Sequence, residues 1–268
     1  GISELALNSY VPTSVSKKMV ASFLEAHSKD VPHQRSWSLI GPYGSGKSSF
    51  ALFLKGLLSR PDSKQYKIAS KKLRELDKNL HLKHKKLTSD SDGFLSILIT
   101  GSMEPIEGKI YQATVSAFLA LNIEPKFKKR IQKKYKLKPD EVNSELIFTL
   151  LDDIEESLIS SAKNLRGINI VIDELGKFVE YAGRKKVEGD IYILQELAER
   201  AVKPSQINLS LVVMLHQSIE HYAKDLDQTT KNEWLKIGQR FEEISFLENI
   251  EQSIRISCRP TMTSAVQP

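Results

Sequence analysis

Eight consecutive residues, Gly41-Pro42-Tyr43-Gly44-Ser45-Gly46-Lys47-Ser48, have the spacing G-x-x-x-x-G-K-[ST]. Glycine in such a run lets the backbone turn back so that its N–H groups point inward at phosphate oxygens. The run opens a helix, whose unpaired N–H groups and dipole also favour an anion. Lys47 is placed to span the β- and γ-phosphates of a nucleotide. The Ser48 hydroxyl is a candidate magnesium ligand, and Ser49 continues the first helical turn. Residues 41 to 49 are therefore the candidate nucleotide site, with ATP and Mg²⁺ as the implied ligands.

A second site follows 126 residues after Lys47. The run Ile168-Asn169-Ile170-Val171-Ile172 ends in Asp173 and Glu174. An acid at the tip of a buried strand can hold Mg²⁺, directly or through water, which is the role assigned to Asp173. Glu174 can polarise a water for attack on the γ-phosphate. A base beside the metal ligand favours transfer to water over transfer to another acceptor, so hydrolysis is expected rather than a kinase reaction. Lys177 and Glu180, just beyond, either line the site or form its solvated surface, the favoured reading.

Two further positions are weaker candidates. The apolar run ending Val213-Met214-Leu215 leads into His216-Gln217-Ser218. A polar residue at such a tip can orient the attacking water; Gln217 is the first choice and His216 the second, unless all three only cap the next helix. Arg240 precedes a short aromatic segment, Phe241 to Phe246. It is either an arginine finger offered to a neighbouring subunit, implying a homo-oligomer, or a surface residue paired with Glu242 or Glu243.

The elements that must position these groups are legible as patterns. Helical spacing runs from Val15 to His27, with Ser14 as the expected N-cap, and Ser48 to Leu58 reads as a buried helix. Strands are expected at Trp37–Ile40, Phe94–Thr100, Ile168–Ile172, Ile207–Leu215 and Phe241–Phe246. Ser63 to Leu87 reads as a Lys-rich helical stretch. Lys109 to Ala162 reads as several helices broken near Pro125 and Pro139, and Asp190 to Ala201 and a start near Ile219 are helical. Apolar strands separated by helices indicate an α/β domain with a mainly parallel central sheet flanked by helices. Both candidate motifs fall at carboxyl ends of strands, where such sheets bind ligands.

Composition sets the remaining bounds. The 268 residues are 40% hydrophobic and 27% charged, ordinary for a globular protein. No apolar run approaches the roughly 18–20 residues that span a bilayer. The single cysteine, Cys258, cannot form an internal disulfide and suits a reducing compartment, so a cytoplasmic location is expected. The net charge of +6 is uneven: Pro61 to Lys138 holds 18 Lys/Arg against 8 Asp/Glu. Lys126 to Lys138 has eight basic residues and no acid, with Phe127 and Tyr135 interleaved. This is either a set of solvated helix faces or a footprint for a polyanion such as DNA or RNA. The two aromatics are read as core, with stacking on single-stranded bases the alternative.

The order GPYGSGKS, IVIDE, a strand ending in HQS and then QRFEEISF resembles P-loop ATPases of the AAA+-like (ASCE) class. The resemblance runs from about Ser14 to Leu247 and is nearest to initiator-type ATPases and those of bacterial phage-defence and restriction systems. It implies a three-layer P-loop fold, Lys47 and Ser48 as nucleotide ligands, Asp173 for magnesium, Glu174 as base and Arg240 as finger. It also divides the chain: 1–60 carries the first strand and phosphate loop, and 61–165 is a helix-rich basic insertion containing one core strand. Residues 166–250 complete the core. The tail 251–268 is too short and polar for the helical lid of this class, so either further domains or protein subunits are expected or the chain is a minimal core. The function implied is an ATP-driven motor or switch acting on DNA, with a nucleotide-controlled protein-interaction switch as the alternative.

Overall fold

Strands buried on both faces must alternate their side chains between two cores, and β3 (Gly167–Asp173) does so. Ile168, Ile170 and Ile172 point into one core and Val171 into the other. The computed structural model describes residues 2–28, 33–185, 191–224 and 228–247. The tail 251–268, with Cys258, lies outside them. Among the described residues, β1 (Ser36–Ile40), β2 (Phe94–Thr100), β3, β4 (Asn208–Leu215) and β5 (Glu242–Ser245) form one sheet. Their order is β2-β3-β4-β1-β5, and every pairing is parallel.

One layer holds α1 (Ile2–Ser9), α2 (Ser14–His27), α3 (Lys47–Leu57), α4 (Lys64–Leu76) and α5 (Lys78–Thr88). Its core joins Met19, Phe23, Phe50, Phe53 and Leu73 to Trp37, Leu39, Val212 and Met214 of the sheet. The opposite layer holds α6 (Ile106–Ala120), α7 (Pro125–Lys134), α8 (Ser144–Ile159), α9 (Gly176–Lys185) and α10 (Ile193–Val202). Two further helices follow, α11 (Ile219–Tyr222) and α12 (Gln228–Gly238). Tyr111, Phe118, Leu150, Phe178 and Leu197 pack there against Ile97, Ile170 and Leu211. Segment 61–165 thus supplies helices to both layers, α4 and α5 to one and α6 to α8 to the other.

Several boundaries differ from the sequence reading for identifiable reasons. The cap of α2 is Thr13, not Ser14: Thr13 and Ser16 form a reciprocal capping box. The Lys-rich stretch breaks at Asp77, whose extended backbone (φ −157°) ends α4 while its carboxylate accepts from Leu80 N–H to start α5. Two helices were not read from the pattern. Short α1 buries Leu7 but leaves Leu5 exposed, and polar α12 is anchored through Trp234 and Ile237.

Candidate functional site

β1 delivers the chain to Gly41, and the loop is fastened on two sides. Gly41 N–H donates to Leu215 O at 3.1 Å, and Phe246 N–H donates to Ile40 O at 2.6 Å. Gly41 must be glycine because a Cβ there would lie 2.5 Å from Phe246 O. Gly44 and Gly46 adopt φ of 77° and 89°, and Gly46 caps α3 with no side chain in the way. The N–H groups at the start of α3 are thereby left open to an anion.

Lys47 is buried at the mouth of that helix. Its ammonium donates to Gly41 O at 2.5 Å, Pro42 O at 2.9 Å and Ser45 Oγ at 3.3 Å, so it is held by the loop's own oxygens. Burial pushes its pKa below the usual lysine value, while Asp173 and Glu174 pull the other way. Both acids face the loop across a cleft of about 240 Å³ that also takes in Tyr43, Ser48, Ser49 and His216. Asp173 ends β3, and its Oδ1 accepts from Glu174 N–H at 2.9 Å. Glu174 sits at φ 54°, the left-handed region, and among the described residues no other non-glycine does so.

Lys177 is partly exposed and does not line the cleft, but it pairs with one of the cleft's acids. Its Nζ lies 2.6 Å from Glu174 Oε2, from the second residue of α9. This contact raises the Lys177 pKa. Of the two tip residues after β4, His216 enters the cleft and Gln217 does not line it. The His216 ring stacks on Tyr43 with centroids 3.3 Å apart. Neither ring nitrogen has a partner at hydrogen-bonding geometry. Burial and then Lys47 push its pKa down, against Glu174, Asp173 and the Gly41 backbone.

Arg240 lies elsewhere. Because Glu242 pairs with Trp37 and Ser245 with Ile40, Arg240 stands at the amino end of the sheet, opposite the phosphate loop. It cannot serve its own chain's cleft. Its guanidinium pairs with Glu199 at 3.0 Å, not with Glu242 or Glu243. Glu242 instead accepts from Trp37 Nε1 and Ser22 Oγ, each at 2.9 Å.

The basic segment is exposed along most of its charge, part of it ion-paired at the surface. Phe127 and Tyr135 are core residues, and the Tyr135 hydroxyl donates to Asp153 at 2.5 Å. Arg130 bridges Asp153 and Glu156, and Lys134 pairs with Asp153 at 2.6 Å. Lys129, Lys133, Lys136 and Lys138 are exposed. A larger cleft of about 490 Å³ between α8 and α10, lined by Glu155, Glu196, Glu199 and Arg200, contains none of the phosphate-loop residues.

The sheet, the loop and the acid pair settle the architecture. The chain has an α/β fold, a parallel five-stranded sheet with helices on both faces and a phosphate loop after β1. No family model matches it, and no curated protein does. Solved structures do align. The ORC2 protein of Aeropyrum pernix, in ADPNP and ADP complexes, shares 11% identity over 87% of this chain and 47% of its own, with a TM-score of 0.49. A Walker-type ATPase of Pyrococcus abyssi shares 15% identity over 90% of this chain and 56% of its own, TM-score 0.39. Cdc6p of Pyrobaculum aerophilum shares 16% identity over 88% and 47%, TM-score 0.37. The chain spans about half the length of these proteins, and the likeness is one of fold. Among the described residues no helix is long and apolar enough to cross a membrane.

Proposed function

We propose that this chain is the ATP-binding and ATP-hydrolysing core of an AAA+-like ATPase, working as a motor or switch on DNA. It is of the type found in initiator and phage-defence systems. The observation that carries the reading is that Lys47, Ser48, Asp173 and Glu174 line one cleft at the carboxyl ends of parallel strands. Phosphate oxygens would replace the Gly41 and Pro42 carbonyls now bound to the Lys47 ammonium. Glu174 then takes a proton from water as the water oxygen bonds to the γ-phosphorus. The bond from that phosphorus to the bridging oxygen breaks, leaving ADP and phosphate. His216 lines the same cleft and in this account bonds the γ-phosphate or that water.

Magnesium fits the donor set. Among the described residues no cluster of three or more His, Cys, Asp or Glu could hold a metal. Mg²⁺ asks for less, one or two protein oxygens with phosphates and water, and Ser48 and Asp173 supply them. When bound, it would neutralise charge on the β- and γ-oxygens.

DNA enters the reading through the exposed lysines of α7 and the residues after it, which would contact phosphates. Arg240, at the far end of the sheet from its own cleft, is left to serve a neighbouring copy, so the active form is a homo-oligomer in this account. A second reading is a nucleotide-controlled interaction switch that touches no nucleic acid. The internal pairing of Arg130 and Lys134 favours it, because it takes two cations out of the footprint. Phosphate release from ATP, with and without DNA, and salt-titrated DNA binding separate the two. Stimulated hydrolysis with a steep salt slope supports the DNA reading. No effect of any DNA on either measurement leaves the interaction switch.

A further inference from the structure

Glu174 is held at φ 54°, a backbone conformation unfavourable for an L-residue, and something must hold it there. The tip of β2 does so. Gly101 N–H donates to Asp173 O at 2.8 Å, continuing the β2–β3 ladder by one residue past Thr100. The Gly101 Cα then lies directly against the Glu174 peptide. A Cβ at position 101 would sit 2.0 Å from Glu174 O, 2.8 Å from Glu174 C and 3.2 Å from Glu174 Cβ. The backbone angle of Gly101 is one that any residue adopts, so space alone requires glycine here. On the far side, Leu175 N–H donates to Met214 O at 3.0 Å, tying the next residue to β4.

We infer that Gly101 is a positioning residue for the base: its bare Cα sets where the Glu174 backbone lies, and so where the carboxylate starts. The inference rests on the reading of Glu174 as the base. Because the obstructing atoms are backbone, a methyl group at 101 cannot be accommodated by a rotamer change. It must move the Glu174 peptide by about 1 Å to reach ordinary contact, and a misplacement of that size costs about 100-fold in rate. The phosphate loop is anchored instead to β4 and to Phe246, so ATP binding should not feel the change.

The experiment compares Gly101→Ala with wild type and with the neighbouring Ser102→Ala. It measures ATP-analogue Kd and kcat per ATP-binding site, so that only folded molecules count. The expected result is a loss of about 100-fold in kcat for Gly101→Ala, Kd within about twofold, and a Ser102→Ala enzyme like wild type. Thr100→Gly, which loosens the same strand tip without adding an atom, should lose about three- to tenfold in kcat at unchanged Kd. Unchanged kcat in Gly101→Ala and Thr100→Gly overturns the inference. So does a rise in Kd together with a fall in kcat, which would mean a structural role only. If wild type itself releases no phosphate from ATP, the reading of the base fails, and this inference falls with it.

Discussion

The Lys177 ammonium lies 2.6 Å from the Glu174 carboxylate, so the base of the proposed reaction has an ion-pair partner in its own chain. The pair is partly exposed, and such contacts contribute up to about 1 kcal/mol. Before Glu174 accepts a proton from water it must give up or weaken this partner. Lys177→Met should therefore raise basal kcat about two- to fivefold, with ATP Kd unchanged, in a steady-state phosphate-release assay. A fall in kcat would mean that the cation assists the reaction rather than restraining the base.

His216 and Gln217 separate cleanly as candidates for orienting water. His216 lines the cleft, whereas Gln217 does not. His216→Ala should lower kcat about tenfold or more, the scale of losing one hydrogen bond made in the transition state. Gln217→Ala should change it less than about threefold. The reverse order in the same assay would restore Gln217 to the role.

Two histidines make the fold sensitive to acid. His27 packs against Phe23 and Phe94, and His84 bonds Leu57 O beside Tyr66. Burial above all pushes both from 6.5 down to about 4. Below about pH 6.5 the unfolded chain takes up protons on these rings that the folded chain refuses until near 4. The stability they contribute is thus whole above pH 6.5 and drains as pH falls towards 4, by roughly 1.4 kcal/mol per unit for each ring. Urea midpoints should drop between pH 7 and pH 5 in wild type. The drop should shrink in a His27→Phe, His84→Gln variant; an equal drop would assign it to other groups.

What the sequence disclosed follows from what is local. Gly44, Gly46, Lys47 and Ser48 are legible because phosphate binding needs those residue types at that spacing. β2, β3 and β4 are legible because strands covered on both sides leave few polar positions. Asp173 and Glu174 stand out as charge at the end of such a strand. The partners of these groups were not legible. Which of His216 and Gln217 faces the cleft depends on register: Leu215 is level with Ile40, so the next residue, His216, meets the start of the phosphate loop. Arg240 chose Glu199, 41 positions away, over two adjacent acids, because the short strand β5 turns it towards α10. Gly101 has no signal at all in a single sequence, since its role is the absence of an atom against a strand tip that is distant in the chain. Lys177 was three residues from Glu174 and could have been paired with it on helical spacing alone.

The central claim is that Glu174 activates water for attack on ATP held by Lys47 and Ser48. Single-turnover phosphate release by Glu174→Gln, alongside its affinity for a fluorescent ATP analogue, tests it most directly. The account predicts analogue binding within about twofold of wild type and hydrolysis reduced at least about 100-fold, the range for losing a general base. Wild-type hydrolysis in Glu174→Gln would contradict it.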